Sequence, residues 1–314
     1  MHAKQKVWLW NAVFVVVVMA LGYSINLAAS KIDYNWQWER VLPFIINTEP
    51  QEIVAPGDGT VEISGQSVQL ILDGEDAPFV IGEYTELMVA NGDLIFEGDI
   101  VAQLEGWRIG PIVDGMIVTI EISIYSLIIA LILGLVIGLM RISPNPALRN
   151  LAILYIEVIR GTPLLVQIFI MYFFIGTVLD LERFTAGVVA LSVFTGAYVA
   201  EIIRSGIQSI PVGQMEAARS LGMNYPKAMV YVILPQAFKR TLPPMAGQFI
   251  NLIKDSSLVS VIAITDLTKA GREVASGTFA QFEVWFTVAL LYLVITSALS
   301  WAIQRLEKRL SASD

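Results

Sequence analysis

Ionisable side chains are scarce in this chain, so the few that interrupt its apolar stretches say most about chemistry. Glu157 and Arg160 stand three residues apart, and Glu201 and Arg204 repeat that spacing. On a helix, the spacing sets an acid and a base on one face. Lys254 and Asp255 are adjacent and lead into Ser256 and Ser257 within an otherwise apolar segment. Ionisable groups at membrane depth are costly and face a bundle interior or a cavity. They could line a path for a solute that carries both a carboxylate and an ammonium group. They could equally form internal ion pairs or reach the membrane surface. The two i,i+3 pairs fit the second use better. Lys254-Asp255, inside a Ser-rich break, fits a gate or path better. The chain has one histidine, His2, and no cysteine. That leaves almost no scope for a metal site or for histidine-based catalysis, and no catalytic or metal-binding residue is expected.

The elements that must position these groups follow from composition. Hydrophobic residues make up 55% of the 314 residues and charged residues 15%, with a mean hydropathy of +0.66. An ordinary soluble domain carries about 25% charged residues. Uncharged runs cover 7–30, 122–140, 161–179, 184–200 and 284–304. A sixth segment, about 242–264, is interrupted at Lys254-Asp255. Since a bilayer core takes about 20 residues per helix, the pattern predicts six spanning helices. Glu157 and Arg160 then fall at the start of the third, and Glu201 and Arg204 at the end of the fourth. The first run exceeds the roughly 7–15 residues of a signal-peptide core, so a retained anchor is expected rather than a cleaved leader.

Charge sets the orientation. Residues 31–110 hold 15 acidic and 3 basic side chains, and the remainder 13 acidic and 17 basic. The basic residues sit at the ends of apolar runs: Lys4 and Lys6, Arg141 and Arg149, the group between Arg204 and Arg240, and Arg305 to Arg309. A nucleic-acid protein would cluster them on a soluble fold. Here the bias places these ends in the cytoplasm, both termini inside, and 31–111 outside.

That outer stretch reads as a small β module. Short apolar runs (60–63, 68–72, 87–89, 100–104) alternate with Pro56-Gly57-Asp58-Gly59, Asp73-Gly74, Asn91-Gly92-Asp93 and Gly98-Asp99, which are turn signals. The stretches from Ile53 to Val61 and from Val89 to Val101 resemble a biotinyl/lipoyl-type barrel. Such barrels carry their cofactor on a hairpin lysine, and the only lysine in 31–110 is Lys31. A structural or docking module is therefore expected.

The loop after the fourth run contains Glu216-Ala217-Ala218, Gly222 and, further on, Leu234-Pro235. Ala217 and Ala218 favour helix, Gly222 is a stop, and Pro211 and Gly213 break the chain before it. This register resembles the permease subunits of ABC importers, with Val232 where the family usually has Ile. The stretches 159–167, 196–204 and 252–259 resemble the polar amino-acid branch of that family, with Ser256 where Thr is usual. The resemblance covers about 112–309. It implies an all-α polytopic core of the type I importer kind, with the first helix and the inserted β module lying outside the resemblance. The chain is then expected to divide into an anchor (1–30), the module (31–111), the permease region (112–309) and a tail (310–314).

The resemblance further implies that Glu216, Ala217, Ala218, Gly222, Leu234 and Pro235 couple to an ATPase. Glu157, Arg160, Gln167, Tyr198, Glu201, Lys254, Asp255 and Ser256 are then candidates for the substrate path or gate. The chain has no Gly-Lys dipeptide, hence no Gly-Lys-Ser/Thr phosphate loop. ATP and Mg would be bound by a partner ATP-binding subunit dimer, with no cofactor in this chain. The other implied partners are an extracytoplasmic amino-acid-binding protein, a second permease copy or a related permease, and membrane lipid, with no nucleic acid. A secondary transporter is the rival reading. It would be supported by inverted repeats, and none is visible in the sequence. A one-anchor adaptor does not fit so many apolar runs.

Overall fold

A computed structural model describes residues 2–65, 67–75 and 77–311. Helix α1 (His2–Lys31) is followed by two short 3-10 turns and the strands β1 (Ile46–Asn47), β2 (Gln51–Val54), β3 (Gly59–Ser64), β4 (Ser67–Leu72), β5 (Phe79–Ile81), β6 (Glu86–Leu87), β7 (Leu94–Ile95), β8 (Ile100–Leu104) and β9 (Arg108–Ile109). The rest is helical: α2 (Pro111–Arg141), α3 (Pro146–Arg160), α4 (Leu164–Phe169), α5 (Thr177–Leu179), α6 (Arg183–Gln208), α7 (Val212–Ser220), α8 (Tyr225–Ala228), α9 (Leu234–Asp255), α10 (Leu267–Thr278) and α11 (Gln281–Ser311).

The strands form antiparallel sheets in the orders β5-β4-β3-β7 and β2-β8-β6, with β1-β9 as a separate pair. The two larger sheets close over one apolar core that includes Ala55, Val61, Val68, Leu70, Ile95 and Val101. Alternation in β4 buries Val68, Leu70 and Leu72 and turns Ile71 outward, as period-two strands require. Several acids that look like surface charge also hold turns. The Asp93 carboxylate accepts from the Ala90 N–H at 2.7 Å, and Asp99 accepts from Phe96 at 2.8 Å. Asp58 accepts from Glu97 across the module at 2.8 Å.

Among the described residues, α1, α2, α6 and α11 are long and apolar enough to cross a membrane, and α3 with the 164–179 helix makes a fifth only as a bent pair. Two expectations are thereby corrected. The third apolar run is a separate helix turned by 104° from α3. Pro163 lacks an N–H, and a residue before proline avoids the helical region, so the chain breaks at Gly161-Thr162-Pro163. Glu157 and Arg160 therefore end α3 and do not begin a span. The segment 242–264 is not one interrupted helix either. Helix runs without a gap from Tyr225 to Asp255, through a π turn at 229–233, and a 3-10 turn follows at 256–262. Lys254 and Asp255 close a helix; they do not split one. That run of 31 residues is about 46 Å long at ~1.5 Å per residue.

Helices α2 and α6 run parallel. Ser126 donates to Val188 O, and a Cβ on Gly134 would stand 2.4 Å from Val199 Cγ1. Small residues at such spacing let helix backbones approach closely in the absence of a hydrophobic drive. Helix α9 is antiparallel to α6. Thr241 packs on Gly206, while Leu252 shares a core with Val188 and Leu191. The starts of α2 and α11 meet α10 in a third cluster that also takes Val41. One end of the bundle thus carries the strands, the starts of α2, α6 and α11 and the end of α9. The other carries Arg141, the end of α6, α7, α8 and the start of α9.

α1 is joined to the bundle at the strand-bearing end. Glu283 in the first turn of α11 is fully buried. It accepts from Tyr34 Oη at 2.5 Å and from the Gln37 N–H at 2.6 Å. Trp36 and Trp38 stack beside it, and Tyr34 and Trp36 pack on Phe282.

A candidate coupling surface and polar path

At the end away from the strands, α7 stands between two breaks. Pro211 occupies the N-cap position, where a missing N–H costs nothing. Gly213 lies inside the first turn and does not break the chain before it. The C-terminus is closed by two backbone bonds: Met223 N–H to Ala218 O at 3.2 Å and Gly222 N–H to Arg219 O at 3.0 Å. Gly222 adopts φ +84. This is a Schellman cap, whose left-handed residue is usually glycine. A Cβ at Gly222 would meet no neighbour within 4 Å, so the glycine is required by backbone conformation alone.

The helix divides its residues between two jobs. Ala218 is buried against the bundle, while Glu216 and Ala217 are exposed. Val212 is 73% and Leu221 82% exposed, so an apolar, acid-marked knob faces outward. Val212 and Leu221 were missed by sequence reasoning. Their only signal was position, one at each end of the motif helix. Leu234 and Pro235 lie elsewhere. Leu234 packs beneath α7 with Ile207, Ile210 and Ile233. Pro235 sits in the first turn of α9, and its absent N–H accounts for the π turn that precedes it. Leu234 thus supports the knob from below, in a cluster shared with Met215 of α7, while Pro235 is exposed. Gln236 Nε2 to Gln214 Oε1 at 3.3 Å and Arg240 to Ser209 O at 2.6 Å fasten α9 to α7 and to the end of α6.

The polar candidates fall into two groups. Arg160 lies over the Tyr198 ring, 5.2 Å from its centroid, and it does not pair with exposed Glu157. Glu201 is held by Arg204 through two hydrogen bonds, one of them Nε to Oε2 at 2.9 Å, and Arg204 also donates to Gln208. Gln167 Nε2 donates to Ile159 O and to Thr162 Oγ1, each at 2.7 Å. It thereby pins the α3–α4 bend, while its Oε1 is buried without a partner. Lys254, Asp255 and Ser256 lie toward the strand-bearing end. Leu252 is level with Leu191, ten residues or about 15 Å along α6 from Glu201. Ser256 is buried and donates to Ile253 O at 2.8 Å, while Lys254 is exposed. No ion pair joins Lys254 to Asp255 among the described residues. The structure therefore brings Arg160, Tyr198, Glu201 and Arg204 together and leaves the Lys254 group apart.

The site is thus an exposed short helix that follows the apolar helix α6 in a bent, multi-helix bundle. Residues 130–312 match the family described as "Binding-protein-dependent transport system inner membrane component", and the chain belongs to that family.

Similar curated proteins include the probable glutamine ABC transporter permease protein GlnM of Bacillus subtilis (strain 168), 45% identical over 201 residues. The match covers 64% of this chain and 93% of that one. The glutamine transport system permease protein GlnP of Escherichia coli (strain K12) is 44% identical over 164 residues, covering 51% and 75%. Among solved structures, an amino acid ABC transporter crystallised with histidines is 43% identical, with a TM-score of 0.60 over 63% of this chain and 94% of that one. The MetNI methionine transporter, 20% identical at a TM-score of 0.58 and covering 63% and 95%, shares the fold.

Proposed function

We propose that this chain is the permease subunit of an ATP-driven importer for polar amino acids, with glutamine-type solutes first among them. The observation that carries this is the outward α7 knob in the register Glu216-Ala217-Ala218…Gly222…Leu234-Pro235, within a chain similar to amino-acid permeases. Glu216, Ala217, Val212 and Leu221 would meet a separate ATPase subunit, which binds ATP and Mg and carries out hydrolysis. Gly222, Leu234 and Pro235 would hold the knob rigid. An extracytoplasmic solute-binding protein would deliver the amino acid, and a second permease, the same or related, would complete the path. Arg160, Tyr198 and Glu201 offer a cation, a ring and an anion along that path, and Lys254, Asp255 and Ser256 lie toward its outer mouth.

Six crossings are consistent with the arrangement of ends if the 225–255 helix crosses alongside α1, the 164–179 helix, α2, α6 and α11. The basic end then faces the cytoplasm with both termini, and residues 31–111 lie outside as an inserted β domain between the anchor and the permease region. In proteoliposomes containing the partner subunits, Gly222→Val and Glu216→Ala should insert normally and lose substrate-stimulated ATP hydrolysis. Gly222→Val sets a branched residue at positive φ, where an L residue costs about 1–2 kcal/mol. Wild-type stimulation in both variants counts against the reading.

A further inference from the structure

A second site lies beside the knob. A cavity of about 480 Å³ opens between the end of α2, the start of α3, the end of α6 and α7. Its rim carries Arg141 from the last turn of α2, Ser143 from the connecting turn and Arg149 from the first turn of α3. Its wall is apolar and includes Ile207, Ile210 and Ile233. The Arg141 Nε is buried with no hydrogen-bond partner. The carboxylate within its electrostatic reach, Glu201, is already taken by Arg204. Neither Arg141 nor Arg149 forms an ion pair among the described residues. Arg141 is half-buried and Arg149 exposed; a buried N–H without a partner is costly, and a two-arginine rim favours bidentate binding of phosphate oxygens.

We propose that this cavity binds the phosphate of an anionic phospholipid from the cytoplasmic leaflet. Arg141, Arg149 and Ser143 hold the headgroup, and an acyl chain lies along Ile207 and Ile233. Two observations favour a lipid over an acidic side chain of a partner. The basic rim adjoins an apolar wall, which an amphiphile uses and a carboxylate does not. The cavity also sits at the ends of the long apolar helices α2 and α6, and basic pockets between helices on the cytoplasmic side take anionic lipid headgroups. Val212 and Met215 of α7 line the same cavity, so an occupant braces the knob against α2 and α3. The leaflet assignment rests on the orientation proposed above.

The test uses the purified complex of permease and ATPase, stripped of lipid and incubated in detergent with equal phosphatidylglycerol and phosphatidylcholine. Native mass spectrometry should show phosphatidylglycerol retained in preference. Arg141→Gln with Arg149→Gln should weaken that retention on the order of thirtyfold, taking each basic contact at its usual strength. Arg141→Lys with Arg149→Lys, which keeps the charge but not the bidentate geometry, should fall between the wild type and the Gln variant. Equal retention of the two lipids by the wild type overturns the proposal, as does full displacement by inorganic phosphate. Loss of the ATPase subunit from the Gln variant with lipid retention unchanged also overturns it and assigns the rim to the subunit interface. Binding in detergent depends on neither sidedness nor transport. A failed binding test therefore leaves the importer reading standing, and failed coupling leaves this one standing.

Discussion

Helices α1 and α6 are both apolar enough to cross a bilayer, and α1 is the more apolar of the two. Yet 67% of the apolar stretch of α6 is buried inside the protein, against 6% for that of α1. The difference lies in side-chain size. α6 carries Ala186, Gly187, Ala190, Ser192, Thr195, Gly196, Ala197 and Ala200, all buried. α1 carries Val15, Val16, Val17 and Val18, all exposed. Lipid tails are as apolar as leucine, so apolarity alone drives insertion and not association. Helices join where small residues admit a neighbour's backbone. α1 accordingly meets the bundle at its end, through Tyr34, the tryptophans and Glu283, and not along its length.

The sharpest way to break this contrast is to add volume to each helix environment. Gly134→Leu, on the α2 face against α6, should destabilise by about 1–3 kcal/mol or more, read as a lower melting temperature in detergent and less folded protein. Val16→Leu in α1 should stay within about 0.5 kcal/mol. Equal effects would mean that α1 is packed as α6 is.

The next largest effect belongs to the junction. Tyr34→Phe removes a hydrogen bond to a buried carboxylate and should cost about 1.5–3 kcal/mol. If α1 is held only at this end, the loss should appear as protease access near residues 31–40 while substrate-stimulated hydrolysis persists. General unfolding in this variant would show that the junction supports the whole bundle.

The smallest effect tests the polar knot beneath α10. The Asp266 carboxylate caps that helix, accepting from the Thr268 and Lys269 N–H groups at 3.1 and 3.0 Å. Asp266→Ala should cost about 1 kcal/mol and Asp266→Asn less. Burial lifts the Asp266 carboxyl above its ordinary range, against the pull of those N–H groups. A carboxyl with a raised folded pKa stabilises fully below its unfolded pKa and loses that contribution as pH rises through the folded pKa. Asp266→Asn should therefore gain on the wild type over the range above about pH 4, where the unfolded carboxyl ionises. A constant difference across that range would show that the raised pKa has no effect on stability.

Some features were legible because they are local. Val68, Leu70 and Leu72 alternate, Asn91-Gly92-Asp93 turns, and four long apolar runs became α1, α2, α6 and α11. Gly222 ends its helix because the left-handed cap is a property of one residue's backbone. Other features were invisible because they depend on contacts distant in sequence. The 225–255 helix carries Lys239, Arg240, Lys254 and Asp255 with Pro243 and Pro244, so hydropathy could not delimit it. It is held by Thr241 against Gly206 and Leu252 against Leu191.

Sequence by itself determined that this is a membrane chain, where its charge lies, which loop bears the motif and that it holds no cysteine and one histidine. Period, length and residue type are enough for those conclusions. Only the tertiary structure decided that Arg160 leaves Glu157 for Tyr198, that Glu283 receives Tyr34 from across the chain, and that Arg141 and Arg149 meet around one cavity. A charged side chain's partner is fixed by where two helix ends are brought together, and the packing of small residues along α2, α6 and α9 sets that.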